Sequence, residues 1–416
     1  MDPLAHTLLG AALAKTRLGG DTRLALPTLV LAANVPDLDV AAYFWGSDAA
    51  LDFRRGLTHG PLGLALLPAL VAVTVWLVGR RRGAQSADAH DASGAPPTYD
   101  EAGPAAPDSS DWAHRRSPHP GPAHREAAHR EPTRLATARE RPASTPARST
   151  ALAPLLALAY LGALTHPVLD WLNTYGVRLL HPFDERWFYG DALFIIDPWA
   201  WLVLGAAVFL AHHADRRSVG AWAILAAVAG ALLITAADST AAKLLWIAAL
   251  VTIAAVKMAG RPRTETGRRR AATACVLAFT IYVVAMIGGS LLAKGVVHGS
   301  IEPPVEALMV GPLPVTVARR QVVVSMPDEI RHGRFRWHPS PRLEWSGWSR
   351  PHPRPGPVLD AALHEPSIQG FLAWARFLFV EIDEHPDRFE VHLMDARYTL
   401  QRNARFGTAV VEVPKP

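Results

Sequence analysis

Apolar residues run along this chain in long blocks separated by short polar or basic stretches. The blocks fall at about 4–18, 23–45, 60–79, 151–172, 197–213, 219–237, 241–260 and 270–294. A helix needs about 20 residues to cross the hydrocarbon core, and most blocks approach that length, so the pattern predicts about eight membrane helices. The first is short and is expected to be re-entrant or to lie against its neighbours. Pro36 in the second predicts a kink or break near Val35, because proline removes a backbone donor and restricts the residue before it. Past residue 300 the texture changes. "VTVARRQVVVSM", "FLFVEIDE", "RFEVHLMDARYTL" and "GTAVVEVP" have the β-branched and aromatic enrichment of strands, and "VLDAALHEPSIQGFLAWAR" reads as one or two helices. The expected fold is an all-α polytopic membrane domain with a small C-terminal α+β soluble domain.

Between the third and fourth blocks, residues 83–150 are rich in Ala, Pro, Arg, His, Ser and Asp and nearly lack large apolar side chains. Such a composition cannot bury enough surface to fold, and a disordered loop is expected. Its five histidines, His90, His114, His119, His124 and His129, show no recurring ligand geometry and read as solvated filler. The resulting division is 1–82 (three helices), 83–150 (loop), 151–213 (two helices), 214–299 (three helices) and 300–416 (soluble domain).

Composition supports this division. Apolar residues make up 50% of the chain, enough for several buried or lipid-facing segments. The net charge of +5 comes mostly from arginine. The basic loops, Lys15–Arg23, Arg80–Arg82 onward, Arg216–Arg217 and Arg261–Arg270, each follow an odd-numbered block. The positive-inside rule therefore makes them cytoplasmic and the C-terminal domain extracytoplasmic. The basic charge thus has a topological role, and no basic-aromatic platform for nucleic acid is present. One cysteine, Cys275, excludes an intramolecular disulfide framework and a multi-cysteine zinc site. "MDPLAHTLLGAALAK" lacks the basic region that precedes a signal peptide core and is expected to be retained.

The topology also sets the polar residues of the helices at one depth. His6 begins the first block, Asp37 and Asp39 lie in the outer half of the second, and His59 opens the third. His166 and Asp170 lie one helical turn apart in the fourth, and Asp197 opens the fifth. An ionised carboxylate in a bilayer is costly, and a divalent cation would neutralise it while using histidine lone pairs. His6, His59, His166, Asp170, Asp37 and Asp39 are thus candidate ligands for zinc (one or two ions), with manganese or iron as alternatives. Asp37 and Asp39 cannot share one regular helix face, so either the Pro36 break lets both reach the site, or one ligates while the other orients a histidine or accepts a proton from water. Simpler readings exist for each. "NVPDLD" has turn and capping chemistry, His166 and Asp170 can bond each other, and Asp197-Pro198 can start a helix. Asp197 is otherwise a possible further ligand or support. Asn173, Tyr175 and Arg178 are candidates for holding an oxyanion or lipid head group, or are interfacial anchors.

"MDPLAHTLLGAAL", "NVPDLD", "RRGLTHG", "LTHPVLDWLNTYG" and "FIIDPWAW" together resemble the YdjM-like group of bacterial inner-membrane metal-dependent hydrolases. The resemblance covers about residues 1–210 without the insert, and extends weakly to "DARY". It implies a membrane-embedded helical domain, a location in the bacterial inner membrane and a hydrolase activity dependent on a metal. It places the family's ligand motifs on His6, Pro36–Asp39, Thr58–His59, His166, Asp170 and Asp197–Pro198. Arg54 stands where the family often has histidine, Gly60 where it has serine, and His181 where it has an aromatic residue. A looser similarity in the order of His, Asp, His and His-x-x-x-Asp links the chain to the zinc phospholipase C and P1 nuclease fold.

The expected function is therefore hydrolysis of a phosphoester or other ester-like bond, in a lipid or amphiphile at the outer face of the membrane, with a metal-bound water as nucleophile. Two alternatives share the same residues: a transporter or proton relay, and a scaffold with a structural metal whose C-terminal domain binds a partner.

Overall fold

A computed structural model of the protein describes residues 1–20, 22–93, 151–212, 215–237 and 239–415. Most of the segment expected to be disordered, 94–150, lies outside the described residues.

The first helix, α1 (Pro3–Lys15), is started by its own sequence. Asp2 caps it by accepting from the Leu4 and Ala5 amides, and Pro3 occupies the first turn, where its missing N–H is harmless. The next helix, α2 (Ala25–Asn34), ends just before Pro36, and the chain tightens into a 3-10 helix over Val35–Trp45. The predicted break is thus a change of helix type rather than a simple kink. A short α3 (Ser47–Phe53) follows, then α4 (Pro61–Ser93) and α5 (Leu152–Trp171). Helix α4 continues past Gly83 to Ser93, into the segment expected to be disordered, where Ala84, Ala87, Ala89 and Ala92 favour helix. The remaining long helices are α6 (Pro198–Ala211), α7 (Arg216–Ala236), α8 (Thr240–Met258) and α9 (Glu265–Gly299). Among the described residues six helical stretches are long and apolar enough to cross a membrane, while α1 and α6 are shorter. Much of α7 and α8 presents large apolar side chains outward, including Ile224, Leu244 and Ile247, as a lipid environment requires.

Close helix approach depends on two glycines. A Cβ on Gly10 of α1 would lie 2.7 Å from the Leu29 carbonyl of α2, and one on Gly162 of α5 would lie 3.0 Å from the same oxygen. Both helices therefore pack directly on the α2 backbone. Gly10 lies one turn after His6 and Gly162 one turn before His166, so this contact sets the spacing of the two histidines.

The C-terminal part holds two antiparallel sheets. The first is a meander of β1 (Ala307–Leu313), β2 (Thr316–Ser325), β3 (Glu329–Arg336) and β4 (Arg342–Pro351). Then come α10 (Pro357–Leu363) and α11 (Gln369–Trp374), and a second sheet of β5 (Leu378–Glu384), β6 (Arg388–Asp395) and β7 (Thr408–Pro414). Helix α9, about 50 Å long at 1.5 Å per residue, runs beyond the bilayer-length helices. Its last turns bury Ala293 and Val297 against Leu308, Val310, Val322 and Phe335 of the first sheet. Residues Met1–Arg80 and Ser149–Pro416 form one compact unit.

Candidate metal centre

The first turns of α1, the 3-10 helix after α2, the end of α5 and the turn before α4 bring six of the sequence-predicted residues together. His6, His59, His166, Asp39 and Asp170 are buried. His166 and Asp170 share a face of α5, with His166 Nε2 3.4 Å from Asp170 Oδ2. The His59 Nε2 lies 3.2 Å from the same oxygen, and Asp37 Oδ1 lies 3.6 Å from His166 Nε2. One donor atom each from Asp37, His59, His166 and Asp170 falls within 4.8 Å of the others. The His6 ring stacks on His166 with centroids 3.7 Å apart, and its Nε2 is 3.4 Å from Asp170 Oδ1.

The proton positions decide what this cluster needs. His166 Nδ1 is 2.6 Å from the Ala33 carbonyl, which can only accept, so Nδ1 carries the proton and a neutral ring turns its Nε2 lone pair inward. Thr58 donates to Asp39 Oδ2, so its oxygen receives the Nδ1 proton of His59 at 2.9 Å, and the His59 Nε2 lone pair also faces Asp170. Burial, the largest influence, pushes the His59 imidazole below its ordinary pKa and keeps it neutral. Lone pairs then meet carboxylate oxygens, a repulsive contact unless a cation lies between them. A proton on His166 Nε2 relieves its contacts with Asp37 and Asp170 but leaves the His59 lone pair against Asp170, and protons on adjacent rings repel each other. His166 Nε2 and both nitrogens of His6 have no hydrogen-bond partner. A shared divalent cation satisfies these atoms together, so the donor set fits zinc, manganese or iron.

The two aspartates separate as a 3-10 turn allows. Asp37 joins the donor group at its open edge. Asp39 accepts from the Arg55 amide at 2.7 Å and from Thr58, and so orients His59. Its Oδ1 has no hydrogen-bond partner. Asp197 is not brought to the cluster: it caps α6 through the Ala200 amide and accepts from the Tyr282 hydroxyl at 2.8 Å. Asn173 Oδ1 accepts from Arg55 and from the Tyr175 amide. The Tyr175 ring lies 4.5 Å from the Arg55 guanidinium carbon. Arg178 is occupied elsewhere, donating to the Asp52 carbonyl and to Glu185 and lying over Trp187.

Sequence reasoning missed Arg55. Its guanidinium pairs with Asp170 Oδ1 at 3.0 Å, beside the Met1 amino group, which bonds the same oxygen. The adjacent Arg54 and Arg55 just before Thr58-His59 were the available signal. It also missed the reach of the C-terminal part. Arg397 of "DARY" donates to the Thr174 carbonyl at 2.9 Å, Trp374 packs against Tyr175, and the Phe371 amide donates to Asp48. These contacts brace both loops that carry Arg55, Asn173 and Tyr175.

Comparison with known proteins gives one family. The family described as YdjM inner membrane protein matches residues 1–291, which include every member of the cluster. No curated protein and no solved structure matches the chain.

Proposed function

The chain belongs to the YdjM inner membrane protein family, and from that premise we propose that it is a metal-dependent hydrolase of the bacterial inner membrane. Its substrate on this reading is a phosphoester or other ester-like bond in a lipid or amphiphile, at the outer face. The observation that carries the reading is that ring nitrogens of His59 and His166 and carboxylate oxygens of Asp37 and Asp170 all lie within 4.8 Å of one another.

Zinc held there would polarise the scissile group and lower the pKa of water toward about 7. The residues supply the rest. Asp37, His59, His166 and Asp170 hold the cation, and His6 offers a further donor beside them. Thr58 and Asp39 fix the His59 tautomer, which keeps its Nε2 available. Asp39 Oδ1, free of hydrogen bonds, would be the carboxylate oxygen available to accept a proton. Arg55 pairs with Asp170 and fixes its position. Asn173 and Tyr175 stand beside this arrangement, where an oxyanion would meet them, whereas the bonds of Arg178 assign it to bracing the loop.

Asp37 is 16% exposed while the other donors are buried, so the cluster has one open edge. That edge favours catalysis over a closed structural metal. The clustering of these groups at one place, rather than in a file across the bilayer, disfavours a proton relay. Purified protein assayed on phospholipids and chromogenic phosphoesters is expected to lose hydrolysis with chelator and regain it with zinc or manganese. Hydrolysis indifferent to chelator, or absent across both panels in metal-loaded protein, contradicts the reading.

A further inference from the structure

The proposed chemistry leaves Arg54 without a task. Its guanidinium carbon lies 5.8 Å from the Tyr43 ring centre and 5.9 Å from that of Tyr175. It stands over the carboxylates of Asp37 and Asp39 at 3.7 Å, outside hydrogen-bond reach. Its Nε is buried without a hydrogen-bond partner, and so are Tyr175 Oη and Asn173 Nδ2. Burial pushes the Tyr175 hydroxyl up to about 12, so it remains a donor at neutral pH. Three neighbouring residues thus hold unmet donors in the interior, where such groups are normally paired. The complementary ligand is an acceptor.

Charge gives its sign. The carboxylates of Asp37, Asp39 and Asp170 outnumber the guanidiniums of Arg54 and Arg55 by one. A divalent cation reverses that balance. Access gives its kind. Arg54, 20% exposed, and Asp37 form the open edge. The 3-10 helix beside them exposes Leu38, Val40, Tyr43, Phe44 and Trp45, the last two at 90% and 76%. This is an apolar lip on a stretch able to cross a membrane.

We propose that Arg54, Tyr175 and Asn173 form an oxyanion-receiving pocket at the mouth of the metal site, and that its ligand is the phosphoryl-type head of an amphiphile whose apolar part lies along the Leu38–Trp45 lip. The proposal rests on the metal-site reading, because the pocket attracts an anion only once the cation is bound. Arg54 is a specificity-determining residue on this account and not a metal ligand.

The test uses the full chain in neutral detergent, loaded with zinc and titrated calorimetrically with inorganic phosphate. Phosphate is expected to bind the zinc-loaded wild type and not the zinc-free protein. Arg54→Gln is expected to weaken phosphate by roughly tenfold or more, the scale of a charged hydrogen bond. Arg54→Lys should lose less, and Tyr175→Phe should weaken phosphate while keeping its ring. Zinc content should be unchanged in all three. Equal phosphate affinity in wild type and Arg54→Gln at equal zinc content overturns the proposal, as does equal binding without zinc. A wild type that takes up no zinc defeats the functional reading and this proposal together. In a second arm, micellar phosphatidic acid is expected to displace phosphate at a far lower concentration than glycerol phosphate. Equal displacement by the two overturns the amphiphile assignment.

Discussion

At the scale of single residues, the cluster depends on which nitrogen of each histidine holds its proton. Ala33 fixes His166 directly, and Thr58 with Asp39 fixes His59. Asp39→Asn keeps the shape but weakens the acceptor that orders Thr58. Zinc affinity is expected to fall by about 10–100-fold, the usual cost of a lost supporting contact, with little change in thermal unfolding. Unchanged affinity in a competition titration would remove Asp39 from its supporting role. Much of this scale was legible in the sequence. His166 and Asp170 sit at helical spacing, and the buried histidines stood out against apolar surroundings. Which of Asp37 and Asp39 would face the donors was not legible, because it depends on the 3-10 geometry after Pro36. Arg55 escaped because its partner, Asp170, lies far along the chain and only the fold joins them.

At the scale of elements, the decisive contacts are backbone to backbone. Gly10 and Gly162 let α1 and α5 meet α2 at Leu29, and the His6–His166 stack follows one turn away. Gly162→Val would drive a branched side chain against Leu29 and Ala32. We expect a loss of about 1–3 kcal/mol, typical of overpacking, read as a lower unfolding temperature in detergent, together with reduced zinc content. Wild-type stability and zinc content in this variant would show that close approach is not what sets the cluster. The hydrophobic blocks announced the long helices and the strands β2, β5, β6 and β7. They did not announce β3 and β4, whose "EIRHGRFR" and "RLEWSGWSRP" carry four and three charged side chains and, in β4, a largely exposed edge. Nor did they announce β1, because its Gly311-Pro312 reads as a turn although the strand is buried.

At the scale of the molecule, a helical part and two small sheets share one compact unit, and the sheets reach back to the loops around the cluster. The positions of the basic loops are the ground on which we propose that those sheets lie outside the cytoplasm. Removing Cys275 and introducing cysteine at the exposed Phe406 should give a protein labelled by a membrane-impermeant maleimide in intact spheroplasts. Labelling only after lysis would invert the topology and move the cluster to the cytoplasmic face. The central claim is that the cluster holds a divalent metal. Its most direct test is the metal content of the folded full chain, purified without chelator, compared with that of the His166→Ala, Asp170→Asn double variant. The account predicts at least one equivalent of zinc, manganese or iron in the wild type and close to none in the variant. A wild type free of metal, or a variant that keeps it, would contradict the account.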